Sequence, residues 1–234
     1  MNPRINQRSA VYRGLLACAA IGAVWLVADS GGDARAVALP AAQGSSGNWN
    51  FERGDFTGWQ TRSSGNGAWH VYADGTKPPD PADSDPQFPF NVPEPPEGRF
   101  AAVTDMTAPG SRILYRDVKL DRRSKLRFTL FYENHVGAFS SPASLDADLR
   151  RPNQQFRAEL VDPAAPVDSL ARKHVLARIF RTAPGDPAKL DPRTITFDLS
   201  PWAGKKVRIR FAQVDNRGPM RAGVDDVRLE DAQR

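Results

Sequence analysis

Segment 207–229 constrains the fold of this chain more than any other feature. Val207, Ile209 and Phe211 alternate with polar residues, which is the period-two pattern of a strand with one buried face. The turn formers at 215–219 end this strand, and a second alternating run follows them. A strand, a tight connection and a second strand predict antiparallel β-structure at the end of the chain.

Asp225 lies in this second strand at the same parity as Val227 and Leu229. In a regular strand its carboxylate would therefore point to the same side as two aliphatic side chains. A buried carboxylate without a partner is too costly to persist, which leaves three states open to it. It is protonated, it pairs with a basic side chain such as Arg208 or Arg210, or it binds a cation.

Short alternating runs recur along the rest of the chain, separated by turn formers. The candidate strands are 48–52, 68–73, 99–105, 112–120, 125–133, 156–162, 174–181, 194–199, 206–214 and 222–230. Leu126, Phe128 and Leu130 share one face of the longest run, as core residues do. Many short strands with little helix predict an all-β fold, a two-sheet antiparallel β-sandwich of the jelly-roll type that spans residues 48–230.

The first 38 residues have the features of an export signal. Three arginines precede an apolar run at 15–28, and Ala36-Val37-Ala38 is a small-x-small cleavage sequence. Residues 39–47 are rich in Ala, Gly and Ser and are predicted to be a flexible leader. The protein is therefore expected to be exported to the cell surface, the periplasm or the extracellular space. An uncleaved anchor is the alternative, and it would be the chain's only contact with a membrane.

Charge and cysteine content exclude several classes of function. Cys18 is the only cysteine, and cleavage after Ala38 would remove it together with every route to disulfides, thiolate zinc sites and cysteine nucleophiles. The same cleavage removes four arginines and two aspartates, so the formal charge falls from +5 to +3. Because basic residues are scattered among acidic ones rather than grouped in a stripe, no nucleic-acid partner is expected.

A long insertion at 77–98 carries eight prolines. Proline has no N–H to give to a ladder, so this segment is predicted to be a surface loop. Loops on a rigid sandwich often carry binding function, and proline-rich segments suit grooves on other proteins. The alternative function is therefore an envelope protein-protein interaction or structural domain, with this loop as the contact surface and no sugar ligand.

Several strings resemble a known family. Asn50-Phe51-Glu52, the segment 54–59 (Gly-Asp-Phe-Thr-Gly-Trp) and the segment 222–229 (Ala-Gly-Val-Asp-Asp-Val-Arg-Leu) resemble CenC-type carbohydrate-binding modules and the wider galactose-binding-domain-like jelly rolls. The strings at 133–142 and 208–227 are similar to an exported domain found in uncharacterised PEP-CTERM-type bacterial surface proteins. The resemblance implies a β-sandwich that binds carbohydrate.

The resemblance also implies a structural calcium ion. In CenC-type modules such an ion joins the first strand to the last through an acidic residue in each, and the matching positions are Glu52 and the pair Asp225-Asp226. Hard oxygen ligands of this kind suit calcium. Of the pair, Asp225 is the preferred ligand because of its parity.

Sugar binding requires flat aromatic faces beside hydrogen-bonding amides, because a pyranose ring has an apolar face and a hydroxyl rim. Candidate ligand contacts are Trp69, Tyr72, Tyr132, Asn134, Gln154, Gln213 and Asn216. Trp69 and Tyr72 have opposite parity in one strand, so only one of them can face a given cleft.

Catalytic motifs are missing from the sequence. His70, His135 and His174 are isolated from one another, and neither a serine flanked by elbow glycines nor a zinc-ligand spacing is present. Carboxylates such as Glu133, Glu159 and Asp198 are the remaining candidates for acid–base chemistry. The predicted function is a non-catalytic module that binds a polysaccharide or other glycan outside the cytoplasm.

Overall fold

The computed structural model of the protein describes residues 47–74, 76, 92–121 and 123–231. The predicted signal, nearly all of the leader and most of the proline-rich insertion lie outside these residues. The strands are β1 (Gln60–Gly65), β2 (Trp69–Ala73), β3 (Phe100–Thr104), β4 (Gly110–Lys119), β5 (Ser124–Asn134), β6 (Gln154–Val161), β7 (Val175–Arg181), β8 (Lys189–Asp198), β9 (Lys206–Asp215) and β10 (Met220–Asp231). In the described ranges, no helix has the length and apolar character needed to cross a bilayer.

The strands form two five-stranded antiparallel sheets. Sheet A has the order β1-β4-β9-β6-β7, and sheet B has the order β2-β3-β10-β5-β8. This arrangement confirms the predicted all-β, two-sheet sandwich, and β2 to β10 correspond to nine of the predicted strands. After Leu199 the chain forms a short 3-10 helix at Ser200–Trp202.

The predicted strand at 48–52 is wrong, and β1 was missed. Residues 49–58 form turns in which Gly54 N donates to Phe51 O at 2.8 Å, and Phe51 has a φ of +64°. A positive φ is incompatible with a strand. Phe51 is fully buried against Trp59, so its apolar character reports burial rather than extended backbone. β1 was missed because all six of its residues are exposed and polar or glycine.

The two sheets enclose one main core. Leu126, Phe128 and Leu130 point into it as predicted, and the Phe128 ring meets that of Phe211 edge-on at 5.1 Å across the sandwich. Edge-to-face aromatic pairs add about 0.5–1.5 kcal/mol to the free energy gained by burial. The alternation of β5 and β9 therefore sets the core, as the sequence predicts.

A β-bulge in β10 corrects the predicted direction of Asp225. Its register with β5 shifts between Asp225 and Arg228, so one extra residue is inserted, and Asp226 has a φ of +52°. Val224 and Val227 consequently both face the main core, although they differ in parity. Asp225 points to the outer side of sheet B and is buried there by another segment of the chain.

The outer face of sheet A is covered by the loop between β6 and β7. Arg208 donates to two carbonyl oxygens of this loop at 3.1 and 3.0 Å, and Arg210 donates to two more at 2.7 and 2.9 Å. The accepting residues are Ala165, Pro163, Val167 and Ser169. Beneath the loop, buried Glu159 forms ion pairs with Arg210 and with Arg157. Arginine side chains therefore both hold the loop and neutralise the acid below it.

Arg112 joins the two sheets at one end of the sandwich. Its guanidinium forms ion pairs with Asp215 at 2.8 Å and with Asp105, which follows β3, at 3.0 Å. It also donates to Gln213 at 2.7 Å. Burial nevertheless raises the pKa of Asp215 to about 7, despite the opposing effect of Arg112. This end of the interior is thus polar and charged.

Candidate functional site

Residues 92–99, which we call the strap, lie across the outer face of sheet B. Val92 packs against an apolar patch formed by Tyr72, Ala101, Val103 and Phe131. The Tyr72 hydroxyl donates to the carbonyl of Pro93 at 2.9 Å. The described end of the proline-rich insertion is therefore packed on the sheet.

Carboxylates hold the other end of the strap through its backbone. Glu97 N donates to Asp225 Oδ2 at 2.8 Å. Two residues further on, Arg99 N donates to both carboxylate oxygens of Glu52 at 3.0 and 3.1 Å. Gly98 lies between them with a φ of +63°, and a Cβ there would stand 2.3 Å from the Glu52 carboxyl carbon. The structure thus brings Glu52, from the first loop, to the same place as Asp225, from the last strand.

Asp225 has an unusual electrostatic environment. Burial raises its pKa to about 8, and the negative charges of Glu97 and Glu52 contribute in the same direction against the lowering effect of the Glu97 N–H. Arg208 and Arg210, the basic partners considered from sequence, lie on sheet A. Among the described residues no basic side chain forms an ion pair with Asp225. The charge of Arg228 nevertheless acts on Asp225 and lowers its pKa, and Asp226 N donates to Asp225 Oδ1 at 2.7 Å.

The carboxylates of Glu52, Glu97 and Asp225 are hard oxygen donors, of the type that calcium prefers. Asn50 joins them, since its Nδ2 donates to Glu97 Oε2 at 3.1 Å. Within the ranges that the structure describes, no three His, Cys, Asp or Glu side chains are already grouped as a metal cage. The carboxylates are thus of the donor type that calcium prefers, but they do not form a metal-holding group, and the calcium ion stays a prediction.

Asp226, the third predicted metal ligand, is placed differently. Its carboxylate forms ion pairs with Arg127 and Arg228, and its side chain is 5% exposed. The bulge that turns Asp225 outward thus directs Asp226 to basic partners of its own. Asp226 is therefore engaged by arginines rather than grouped with Glu52 and Asp225.

A cavity of about 270 Å³ lies beside the strap on sheet B. Its apolar walls come from Val92, Pro93, Leu190 and Pro192. Two ion pairs also line it. Arg221 binds Glu133, and Lys189 binds Asp191 at 3.1 Å.

Phe131 and Gly223 form part of the same surface. A Cβ on Gly223 would lie 1.9 Å from the Phe131 ring, so only glycine leaves room for this ring beside β10. Phe131 also lines the cavity. The cavity volume is near the lower end of the range of about 300–1,000 Å³ that is typical of small-molecule sites.

The seven predicted sugar contacts are all buried, with exposed fractions of 8% or less. Trp69 and Tyr132 pack in the main core, and Tyr72 packs under the strap. Opposite parity of Trp69 and Tyr72 is thus observed. Tyr132 contributes to the cavity lining but is only 3% exposed.

The four predicted amides serve the fold. Gln154 donates to Asn134 Oδ1 at 3.0 Å, and Gln213 donates to the carbonyl of Met220 at 3.1 Å. Asn216 donates to two loop carbonyls, each at 2.7 Å. Direct sugar binding through these residues stays a prediction without an exposed side chain to support it.

Sequence reasoning missed several residues of this region. Glu97 was missed because it lies in the proline-rich insertion. The only local sign of a role for it is an acidic residue next to prolines. Lys189, Asp191 and Pro192 belong to the first half of β8, which was predicted to begin only at Thr194. Charged and proline residues made that half resemble a loop, which is common for an edge strand.

Groups with catalytic potential are distributed over the molecule. Ser169 Oγ and His174 Nδ1 are 2.8 Å apart. Among the described residues, no carboxylate is bonded to the His174 ring. A nucleophile–base pair normally needs such an orienting acid. Glu159 lies under the sheet A loop. Glu133 and Asp198 lie at opposite ends of the β5–β8 pair, Glu133 opposite Lys189 and Asp198 opposite Lys125. Two His–carboxylate pairs are present among the described residues: His135 Nε2 lies 3.0 Å from Glu133 Oε1, and His70 Nε2 lies 3.4 Å from Asp105 Oδ2.

No protein-family model and no curated protein matches this chain. The solved structures that it is similar to include the K1 cleaved adhesin domain of Lys-gingipain from Porphyromonas gingivalis W83, at 12% identity over 79% of this chain and 96% of that chain, with a TM-score of 0.45. The carbohydrate-binding module TmCBM61, in complex with β-1,4-galactotriose, has 14% identity, the same coverage and a TM-score of 0.44. A Stig cyclase, Fisc from Fischerella sp. TAU, has 18% identity over 80% and 96% of the chains, with a TM-score of 0.41.

At these identities and TM-scores, the similarity assigns neither a ligand nor a catalytic activity to this chain. The fold itself is a two-sheet antiparallel β-sandwich. The finer resemblance to CenC-type modules and to PEP-CTERM-type surface proteins stays a prediction.

Proposed function

We propose that the domain is a non-catalytic carbohydrate-binding module that acts at the cell surface or outside the cell. The observation that supports it is the cavity on sheet B. Its proline, valine and leucine walls suit the apolar face of a sugar ring, and its two ion pairs supply donors and acceptors for the hydroxyl rim. Both ion pairs are internally neutral, so an uncharged sugar is the expected ligand.

Export is part of this proposal and rests on residues 1–38. The positive start, the apolar run and the small-residue cleavage sequence are the features that support it. Cleavage would leave a chain without cysteine, which is compatible with an oxidising compartment.

A structural calcium ion belongs to the same proposal. Glu52, Glu97 and Asp225 would hold it, with Asp225 as the carboxylate that most needs a positive charge. When bound, the ion would neutralise acidic groups drawn from the first loop, the strap and the last strand. Its effect would be to tie the two ends of the domain together.

The test is retention of the purified protein on a panel of immobilised polysaccharides. Lys189→Ala and Asp191→Ala alter an exposed pair that lines the cavity, so we expect each to weaken retention at least tenfold without unfolding the protein. Lys119→Ala and Asp121→Ala are matched controls, because they remove an equally exposed Lys–Asp pair on another part of the surface. The controls should bind like the parent protein.

Two outcomes would contradict the proposal. Absence of retention by every polysaccharide would favour the envelope protein-protein alternative. Equal loss in the cavity variants and in the controls would show that sugar binding does not occur at this cavity.

A further inference from the structure

The connection from β1 to β2 contains the pair Asn66-Gly67 and leads from sheet A to sheet B. Asn66 is exposed, and the residue that follows it has no side chain. The Asn66 backbone is fixed, since its N–H donates to the carbonyl of Pro109 at 2.9 Å. Its side-chain amide, by contrast, has no hydrogen-bond partner among the described residues. The fold therefore leaves this amide open to solvent and to its own backbone.

The other asparagines in the described ranges are held differently. Each is buried or half-buried, precedes a residue with a side chain, and donates through Nδ2 to an acceptor within the protein; they are Asn48, Asn50, Asn134, Asn153 and Asn216. Of the described asparagines, Asn66 thus combines exposure, an unbonded amide and a following glycine.

These three properties favour attack of a backbone nitrogen on the side-chain amide. Asparagine is among the chemically labile residues that heat-stable proteins avoid. Gly67 N has no acceptor among the described residues, so hydroxide has access to its proton. Attack of this nitrogen on Asn66 Cγ is intramolecular and has the entropic advantage of such reactions. Because glycine has no Cβ, no side chain shields its nitrogen.

The reaction balances as loss of ammonia followed by hydrolysis. Hydroxide removes the Gly67 N–H proton, the nitrogen forms a bond to Asn66 Cγ, and the Cγ–Nδ2 bond breaks. The departing NH2 group takes a proton from water and leaves as ammonia, so that a succinimide ring remains. Water then opens the ring. Cleavage between the nitrogen and Cγ gives aspartate, whereas cleavage between the nitrogen and the main-chain carbonyl carbon gives isoaspartate, in which the chain runs through Cγ.

Isoaspartate adds one methylene to the backbone at a place with no spare room. A Cβ on Gly67 would lie 2.2 Å from Asp105 Oδ1 and 2.4 Å from Arg112 Nε, so the chain there lies against this buried ion pair. A Cβ on Gly110 would lie 2.1 Å from Asn66 O, so the neighbouring strand is equally close. A longer backbone at 66–67 must therefore displace the connection from Arg112, which joins the two sheets.

We propose that Asn66 is a site of spontaneous deamidation and isoaspartate formation, and that this modification weakens the charged junction around Arg112. The inference goes beyond the proposed function and depends neither on the sugar cavity nor on a bound ion. Water is the only co-reactant, so the change accumulates with the age of the folded protein.

Peptide mapping of the purified protein after incubation in neutral and in mildly alkaline buffer tests the first step. Tandem mass spectrometry should locate the replacement of NH2 by OH at residue 66, at least tenfold faster than at any other described asparagine. The alkaline buffer should accelerate it, because hydroxide removes the Gly67 proton. Asn66→Gln should stay unchanged, since its longer side chain would have to close a larger ring. Conversion at Asn50 as fast as at Asn66 would overturn the site.

Thermal denaturation tests the effect on the junction. Protein aged until isoaspartate has formed, which electron-transfer fragmentation distinguishes from aspartate, should melt at a lower temperature than fresh protein. Asn66→Gln should not lose stability on the same incubation. Freshly purified Asn66→Asp is the control for charge, because it adds the carboxylate without lengthening the backbone, and it should melt like the fresh parent. An equal fall in fresh Asn66→Asp, or conversion to isoaspartate without a fall, would overturn the effect on the junction.

Discussion

The two outer faces of the sandwich are covered by opposite chemistry. On sheet A, Arg208 and Arg210 donate to carbonyl oxygens of the covering loop. On sheet B, Asp225 and Glu52 accept N–H groups of the covering strap. The cover of sheet A is held through its carbonyl groups, and the strap is held through its N–H groups. The side chains that hold the two covers therefore have opposite charge.

The charges on sheet A are neutralised within the protein, whereas the charge state of Asp225 on sheet B depends on the solution. Arg208 and Arg210 on sheet A have acidic partners among the described residues, so their charges are neutralised without a bound ion. Asp225 has no ion-pair partner among the described residues, and burial raises its pKa to about 8. Stability of the sheet B cover should therefore depend on solution conditions, whereas that of the sheet A cover should not.

The largest effect is expected for Arg210→Ala. The change removes two bonds to the loop and one partner of the buried Glu159. Loss of one partner of a buried ion pair costs about 3–5 kcal/mol, and urea denaturation should show a decrease of that size in the free energy of unfolding. Adding Glu159→Leu to this variant should not restore the loss, because it leaves buried Arg157 without its acidic partner. A loss below about 1 kcal/mol in the single variant would contradict the role of this residue.

Calcium should produce the next largest effect, and only on the sheet B side. At a free concentration of 100 times Kd, binding to the folded state adds about 2.7 kcal/mol, which a higher melting temperature would report. Asp225→Asn should abolish this gain. Asp226→Asn is the matched control, since Asp226 pairs with arginines and its removal should lower stability without removing the calcium gain. An equal calcium gain in both variants would reject the site.

Asp215 should give a pH dependence at the junction of the sheets. Its pKa is about 7 in the folded protein against 3.8 for the ordinary carboxyl, so between these values the folded state holds a proton that the unfolded state does not. Stability from this group is therefore highest at low pH and falls by about 1 kcal/mol from pH 5 to pH 6. Asp215→Asn should flatten the profile by that amount in denaturation experiments at each pH. Profiles of equal slope would show that Asp215 is already ionised.

The smallest effect is expected for Arg62→Ala, on the same side as Arg210. Arg62 and Asp168 form a pair at 3.3 Å, but their side chains are 54% and 45% exposed. Exposed pairs of this kind contribute about 0–1 kcal/mol, which salt reduces further. A loss comparable to that of Arg210→Ala would mean that burial does not explain the difference between the two arginines.

Much of the fold could be predicted from residue patterns. Alternation in 125–133 and 206–214 identified β5 and β9, because a strand buries every second side chain and this period is visible locally. The same reasoning failed for 48–52, where buried aromatic residues occupy turns, and for β1, which is exposed on both faces. Burial and strand structure coincide only where one face of a strand is covered.

The candidate site was less accessible from the sequence. The seven proposed sugar contacts have the right chemical types, but those types also fill cores and bond to buried polar groups, and the structure uses them in these ways. Glu52 and Asp225 were identified through the family resemblance. Glu97 was not, because it lies 128 residues from Asp225 in the chain and meets it only in the folded protein.

The sequence by itself determined that this protein is a layered β-structure, because side-chain alternation is a property of neighbouring residues. Only the tertiary structure decided which way Asp225 points, since one extra residue in β10 reverses the direction that parity predicts. It also decided that the strap, Glu52 from the first loop and Asp225 from the last strand meet on the outer face of sheet B. Such contacts depend on the pairing of distant strands, which local patterns do not record.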